Sequence, residues 1–339
     1  MYSSVKQRLK RTLKHILPQP VVSLGKSLLK GSRRIQNVES GSQRISPFTT
    51  IIEVYQGSLW SESTARLCLF AGFQSDGSIP DETLHHIREL RSSGFEVIYI
   101  ATSPFFKEDS LRKAAQLCKA VIHRENIGHD FASWKVGLDY ARSKGIEFDR
   151  LILTNDSIFG PFVPLAPVVT RLEKLEADLC GLNDSTERAL HIQSFFLYFK
   201  QSALNSRAFK EFWNGVECLT DKDLIIDRYE IGLSTALTAQ GFSLAALYPY
   251  DTVIGAARKM GGAFQYRELL GQQPLNTSLF CWDLLIREFG YPYLKTELIR
   301  LNRLQSRTIQ NWPELVGNTF PELVLAVRDR ESKWKQEKR

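Results

Sequence analysis

The chain has 339 residues, of which 43% are apolar and 24% charged, enough to bury a substantial core in one large domain or two. No run approaches the roughly 18 uninterrupted apolar residues of a bilayer-spanning helix, and the N-terminus lacks a compact apolar core with a small-residue cleavage site, so secretion is not expected. The net charge of +7 is concentrated in residues 1–34, which hold nine Lys or Arg and no Asp or Glu; the remainder, with 35 basic and 37 acidic residues, is close to neutral, which argues against a nucleic-acid binder.

In the basic tail, Val5, Leu9, Leu13, Ile16 and Leu17 share one helical stripe, and Lys6, Arg8, Lys10, Arg11 and Lys14 cover much of the rest. Pro18 and Pro20 end this helix, and Leu24, Leu28 and Leu29 suggest a second short one. A basic amphipathic helix suits an anionic membrane surface, so peripheral attachment to the inner face of the plasma membrane is expected. A disordered basic arm or a helix docked on the body are the alternatives. Residues 1–48 thus form a basic segment and polar linker, followed by a main domain over 49–260 and an extension over 261–339.

From about residue 64, strand and helix alternate. Strands are expected at Arg66–Phe73, Phe95–Ala101, Ala120–His123 and Arg150–Thr154. Between them lie a helix opening at Pro80 with Asp81 and Glu82, one from Asp109 to Lys119, and one capped by Asp130 that buries Phe131, Trp134, Leu138 and Ala141. This alternation predicts a mainly parallel sheet with right-handed crossovers. Further on come a helix over Pro164–Glu176, strands at Asp178–Leu182 and Ile192–Lys200, and helices near 206–217 and 229–240. A Gly-, Gln- and Asn-rich stretch over 262–278 has the character of a mobile loop, and a helical C-terminus ends in a charged tail from Arg328. The five cysteines are odd in number, widely spaced and without a Cys-x-x-Cys pair, which points to a reducing compartment and to small hydrophobes rather than bridges or zinc.

Three loops after strands could carry chemistry. Gly72-Phe73-Gln74-Ser75-Asp76-Gly77 offers backbone and small polar groups, but no Gly-x-Gly-x-x-Gly or phosphate-loop lysine follows, which disfavours a dinucleotide oxidoreductase and a P-loop NTPase. In Arg124-Glu125-Asn126-Ile127-Gly128-His129-Asp130, Asn126 can bond a base or ribose, Gly128 permits close backbone approach, and Asp130 can cap its helix or accept a sugar hydroxyl. Most informative is Leu151-Ile152-Leu153-Thr154-Asn155-Asp156-Ser157, a buried strand delivering one carboxylate and two neutral oxygens to the sheet edge where α/β ligands sit. Asp156 there can hold a hard cation, and the cation a diphosphate; an ordinary Asx-turn is the alternative.

Taken together, Asn126-x-Gly128-x-Asp130-Phe131, Leu153-x-Asn155-Asp156-Ser157-x-x-Gly160-Pro161 and His191-x-Gln193-Ser194-x-Phe196 resemble the rhamnan synthesis protein F family, bacterial glycosyltransferases of polysaccharide assembly with a GT-A-like fold. Trp282-Asp283-x-Leu285-Ile286 and Gly290-x-Pro292-x-Leu294-Lys295-x-Glu297-Leu298 resemble the same family, so the similarity spans roughly residues 64–303. The resemblance implies a GT-A-like Rossmann-type α/β core and transfer of a sugar, with L-rhamnose the first candidate, from a dTDP- or UDP-sugar to a glycan or lipid-linked acceptor. It also implies that Asp156 anchors Mg²⁺ or Mn²⁺, that Gly72, Asn126, Gly128, Asp130, Asn155, Ser157 and Gln193 face the donor, and that Glu230 at a helix start is the catalytic base. Asp184 is the second candidate base, and His191 faces the acceptor or a phosphate. A first-turn Glu stabilising its helix dipole is the other reading of Glu230, and a catalytically silent glycan-binding or scaffold protein the other reading of the chain. The chain departs from the pattern in two places: Gly72-Phe73-Gln74 replaces a His-Tyr-Asp-like turn, and Asn-Asp-Ser replaces Asp-x-Asp.

Overall fold

The computed structural model describes residues 46–58 and 65–337. The basic segment 1–34 and its expected membrane helix lie outside the described residues. Among the described residues no helix is long and apolar enough to cross a membrane.

The strands are β1 (Ile51–Gln56), β2 (Arg66–Gly72), β3 (Glu96–Ala101), β4 (Ala120–Arg124), β5 (Arg150–Asn155), β6 (Ile158–Phe159), β7 (Leu179–Ser185), β8 (His191–Ile192), β9 (Phe196–Lys200), β10 (Leu244–Tyr248) and β11 (Leu294–Lys295). One sheet follows the order β1-β4-β3-β2-β5-β9-β7-β10, with β8 on the side of β7. Strands β2, β3, β4, β5, β7 and β10 point one way, while β1 and β9 run against them. This is the mainly parallel α/β core expected from the sequence.

Period-two alternation sends side chains to both sheet faces, and both are covered. Cys68, Phe70, Val97, Tyr99 and Ile152 pack on one face beneath α1 (Asp81–Ser92), α2 (Glu108–Leu117) and α4 (Leu165–Lys174), with α3 (His129–Ser143) and α5 (Arg207–Asn214) on the other, against Leu67, Leu69, Ile98, Leu151 and Leu153. The first helix starts after Pro80 with Asp81 and Glu82 in its first turn, buries Leu84, Ile87 and Leu90, and is followed by Gly94 at φ +87°.

The observed elements depart from the expected ones in several places, strand β10 among them, which was not expected. Strand β1 was not expected, because its six residues are only half-buried on an edge and leave a weak periodic signal. The strand expected over Ile192–Lys200 divides into β8 and β9, with Gln193-Ser194-Phe195 leaving the ladder between them. The helix expected at 229–240 begins earlier: Lys222–Ile225, the π-helical Ile226–Ile231 and Gly232–Thr238 follow one another without a break. Glu230 therefore stands inside a helical run, in a π-segment of the kind that concentrates at functional sites, and not at a helix start.

The C-terminal residues are packed onto the site side of the sheet. Helices α6 (Tyr250–Lys259) and α7 (Trp282–Phe289) join the core, and the segment 262–278 is anchored through buried Phe264, Leu269 and Leu275. Strand β11 pairs with β6, and α8 (Pro321–Glu337) closes a cluster of Phe159, Phe162, Trp282, Leu294, Leu298, Trp312 and Val327. The charged tail is thus the second half of α8.

Candidate active site

Strand order turns outward in both directions between β2 and β5, and ligands of open α/β sheets bind in the crevice beyond the carboxyl ends of such a strand pair. Asn155 ends β5 and is almost fully buried. Its Oδ1 accepts from the Ser157 amide (3.1 Å) and hydroxyl (2.6 Å), and its Nδ2 donates to Asp130 Oδ2 at 2.7 Å. The Asx-turn is therefore real, and it serves the site: by folding Ser157 back, Asn155 leaves Asp156 projecting across the crevice to β2. There Asp156 Oδ2 accepts from the Phe73 amide at 2.8 Å and from Gln74 Nε2 at 3.4 Å. The turn is clamped from the far side, where the Ser157 carbonyl accepts from the Thr296 amide and hydroxyl at 2.9 and 3.0 Å.

Burial pushes the Asp156 carboxyl up to about 7; the Phe73 amide and Arg330 oppose that rise, and the nearby Asp130 reinforces it. Between the ordinary carboxylate value and 7, the folded chain keeps a proton that the unfolded chain releases, so stability falls as pH rises through that window. Asp156→Asn should accordingly raise the thermal midpoint at pH 8 and leave it unchanged near pH 4. A lower midpoint at pH 8 would show that the ionised carboxylate is held by a compensating charge instead.

Behind Asp156 lies a second polar group. Asp130 is raised by burial, with Asn155, His129 and Lys295 pulling it back and Glu230 adding to the rise. Lys295, brought in by β11, is lowered to about 8 by burial against the pull of Glu230, Glu297 and Asp130, and its ammonium lies 3.7 Å from the centre of the Phe195 ring. Glu230 Oε1 accepts from the Ser194 amide at 2.9 Å, in the gap between β8 and β9. The break in the expected strand and the π-segment in the expected helix thus meet at this carboxylate.

Other expected site residues take different places. Asp130 does not cap α3; Gly128 occupies the N-cap at φ +79°, and the Asp130 carboxylate turns to Asn155. Gly128 is required by packing, since a Cβ there would stand 2.6 Å from the Ala132 Cβ and 2.8 Å from the Cys218 Cα. With both the left-handed φ and the overlap to relieve, Gly128→Ala should cost about 2–3 kcal/mol, read as a lower denaturation midpoint; unchanged stability would contradict this geometry. Gly72 is likewise packed, its Cβ position 2.3 Å from the Tyr99 hydroxyl. Asn126 is exposed on the loop before α3.

Asp184 Oδ1 accepts from the Tyr250 amide at 2.6 Å and so serves the start of α6. His191 is buried with Nδ1 2.8 Å from the Ala189 carbonyl. Burial raises the Asp184 and Glu187 carboxyls against the pull of His191, and Glu230 adds to the rise at Glu187. Gln193 is buried, and its Oε1 has no hydrogen-bond partner among the described residues.

A cleft of about 360 Å³ opens beside Asp156 and Ser157, walled by Phe73, Gln74, Glu82 and Thr83 on one side and by Thr296, Arg300, Arg330, Lys333 and Trp334 on the other. The C-terminal wall was missed by sequence reasoning, although Arg330 and Trp334, four residues apart in a helical pattern, were its available signal. Among the described residues no group of three or more His, Cys, Asp and Glu side chains is arranged to hold a metal. What the site offers a cation is the Asp156 carboxylate, with Asp130 adding negative potential behind it.

The family described as rhamnan synthesis protein F matches residues 97–270, just over half of the chain. The chain is 28% identical to the virulence protein VirA of Vibrio anguillarum over 293 residues, covering 81% of this chain and 90% of that protein. It is 24% identical to the uncharacterized protein y4gN of Sinorhizobium fredii over 178 residues, covering 51% and 46% respectively. Among solved structures, the glycosyltransferase GlyE of Streptococcus pneumoniae TIGR4 is similar at 12% identity and TM-score 0.39, over 79% of this chain and 64% of that one. The nucleoside-diphosphate-sugar pyrophosphorylase of Vibrio cholerae RC9 is similar at 13% identity and TM-score 0.37, over 54% and 92%. Both are distant overall likenesses and neither bears on the chemistry.

Proposed function

This chain belongs to the rhamnan synthesis protein F family, and from that premise we propose that it is a glycosyltransferase of cell-surface polysaccharide synthesis. The reaction proposed is transfer of a sugar, L-rhamnose first among candidates, from a dTDP- or UDP-linked donor to a growing glycan or lipid-linked acceptor. The observation that carries this reading is the Asp156 carboxylate, held by the Asn155 turn across the crevice between β5 and β2 at the floor of an open cleft.

In this mechanism the Asn155–Ser157 turn and the Phe73 amide hold Asp156 as the residue that would hold Mg²⁺ or Mn²⁺. The ion would supply Lewis-acid neutralisation of charge on the departing diphosphate. Its fit rests on the chemistry of Asp156, whose buried carboxyl, raised toward neutrality, gains from a neighbouring cation. Asn155 orients Asp130 behind it. Glu230, fixed by the Ser194 amide, takes the proton of the acceptor hydroxyl as that oxygen attacks the anomeric carbon, a step that needs a base within hydrogen-bond reach. Gln193 Oε1, buried and without a partner, is an acceptor for a sugar or acceptor hydroxyl. The basic residues of segment 1–34 would hold the enzyme on the anionic inner face of the plasma membrane, where lipid-linked acceptors lie.

A donor screen measuring nucleoside diphosphate release in the presence of a lipid-linked glycan tests the proposal, with Asp156→Ala as the control. Absence of turnover with any dTDP- or UDP-sugar would remove it.

A further inference from the structure

The C-terminal helix α8 reaches the donor cleft through one side chain. Arg330 Nε donates to Glu82 Oε1 at 3.0 Å, and Arg330 Nη2 donates to Gln74 Oε1 at 2.5 Å, a contact between residues 256 apart in the chain. The Arg330 and Glu82 side chains are only 14% and 9% exposed. Trp334, one turn on, carries the Arg330 guanidinium 5.7 Å and the Arg300 guanidinium 5.5 Å from its ring centre. A tie between α8 and α1 needs no more than the Glu82 pair. The bond to Gln74 does something further, because a carboxamide has one oxygen and one NH₂. With Oε1 committed to Arg330, Nε2 faces Asp156 Oδ2, 3.4 Å away. The Gln74 amide N–H is meanwhile held by Ser103 Oγ at 3.0 Å, so the loop itself is fixed and only the amide plane remains to be set.

We infer that α8 completes the donor site, with Arg330 as a positioning residue that orients the Gln74 carboxamide and, through it, the Asp156 carboxylate that meets the donor diphosphate. This rests on the glycosyltransferase reading for the identity of the ligand, whereas the relay from Arg330 to Asp156 stands on the geometry alone. It also gives the substituted turn a function: where the family pattern has His-Tyr-Asp, this chain places a glutamine whose two ends join Arg330 and Asp156.

The relay is tested on the full chain by the ¹⁵N side-chain amide resonance of Gln74, identified with Gln74→Leu, and by calorimetry of UDP with Mn²⁺ at pH 7. The resonance should move in Arg330→Met and equally in Arg330→Met/Glu82→Gln, where no carboxylate is left unpaired and folding is protected. UDP should bind roughly tenfold more weakly in the double variant. An unmoved Gln74 resonance in both Met variants overturns the relay, even if Asp156→Ala abolishes turnover. A moved resonance with unchanged UDP affinity overturns the role in donor binding. If the resonance moves while wild type binds neither UDP nor dTDP, the relay stands and the donor reading falls.

Discussion

Asp156→Ala should lower nucleotide-sugar turnover by at least about 10²–10³-fold, the size of loss expected when a group aimed at developing charge is removed from a preorganised site. Asp156 is the side chain that the Asn155 turn carries across the crevice from β5 to β2, and Phe73 and Gln74 fix its Oδ2. Asp156→Asn separates charge from shape: it keeps an oxygen for the Phe73 amide and removes the negative charge. If the carboxylate works by holding a cation against the diphosphate, the Asn variant should be nearly as impaired as the Ala variant, while folding more stably at pH 8. The measurement is the rate of nucleoside diphosphate release with saturating Mg²⁺ or Mn²⁺. An Asn variant with wild-type rate would show that the charge is not used.

Glu230→Gln should reduce kcat by about 10²–10⁴-fold with little change in donor KM, the range for removal of a positioned general base. Glutamine retains an oxygen for the Ser194 amide, so the Ser194–Glu230 contact survives and the loss reports chemistry and not folding. The Glu230 charge acts in turn on Lys295 and Asp130. Steady-state kinetics with a fixed acceptor decides the matter. A change of less than about tenfold would move the base elsewhere, with Asp184 the next candidate.

Much of the core was legible residue by residue. The apolar runs Arg66–Gly72, Glu96–Ala101 and Arg150–Asn155 are buried on both faces, so their composition alone marks them as interior strands. Phe131, Trp134, Leu138 and Ala141 keep helical spacing, and all four are buried. The errors fell where local pattern and tertiary demand diverge. Asp130 has the residue type of an N-cap, but Gly128 holds that place because Ala132 and Cys218 leave no room for a Cβ, and the carboxylate is used by Asn155 instead. Glu230 was expected at the start of a helix near 229–240; the helical run instead begins at Lys222 and passes through it.

By itself, then, the amino-acid order determined the alternating strands and helices, the parallel sheet they imply, and the Asn-Asp-Ser turn at the end of β5. Those features depend on periodicity and on side chains bonding their own backbone within a few residues, and both are written locally. Only the tertiary structure decided what Asp156 meets. Its partners Phe73 and Gln74 come from the loop after β2, the clamp on its turn comes from Thr296 just after β11, and the arginine that orients Gln74 comes from α8. No local rule links residue 74 to residue 330. Their contact exists because burial of Phe159, Trp312 and Val327 folds the C-terminal helix back over the sheet edge.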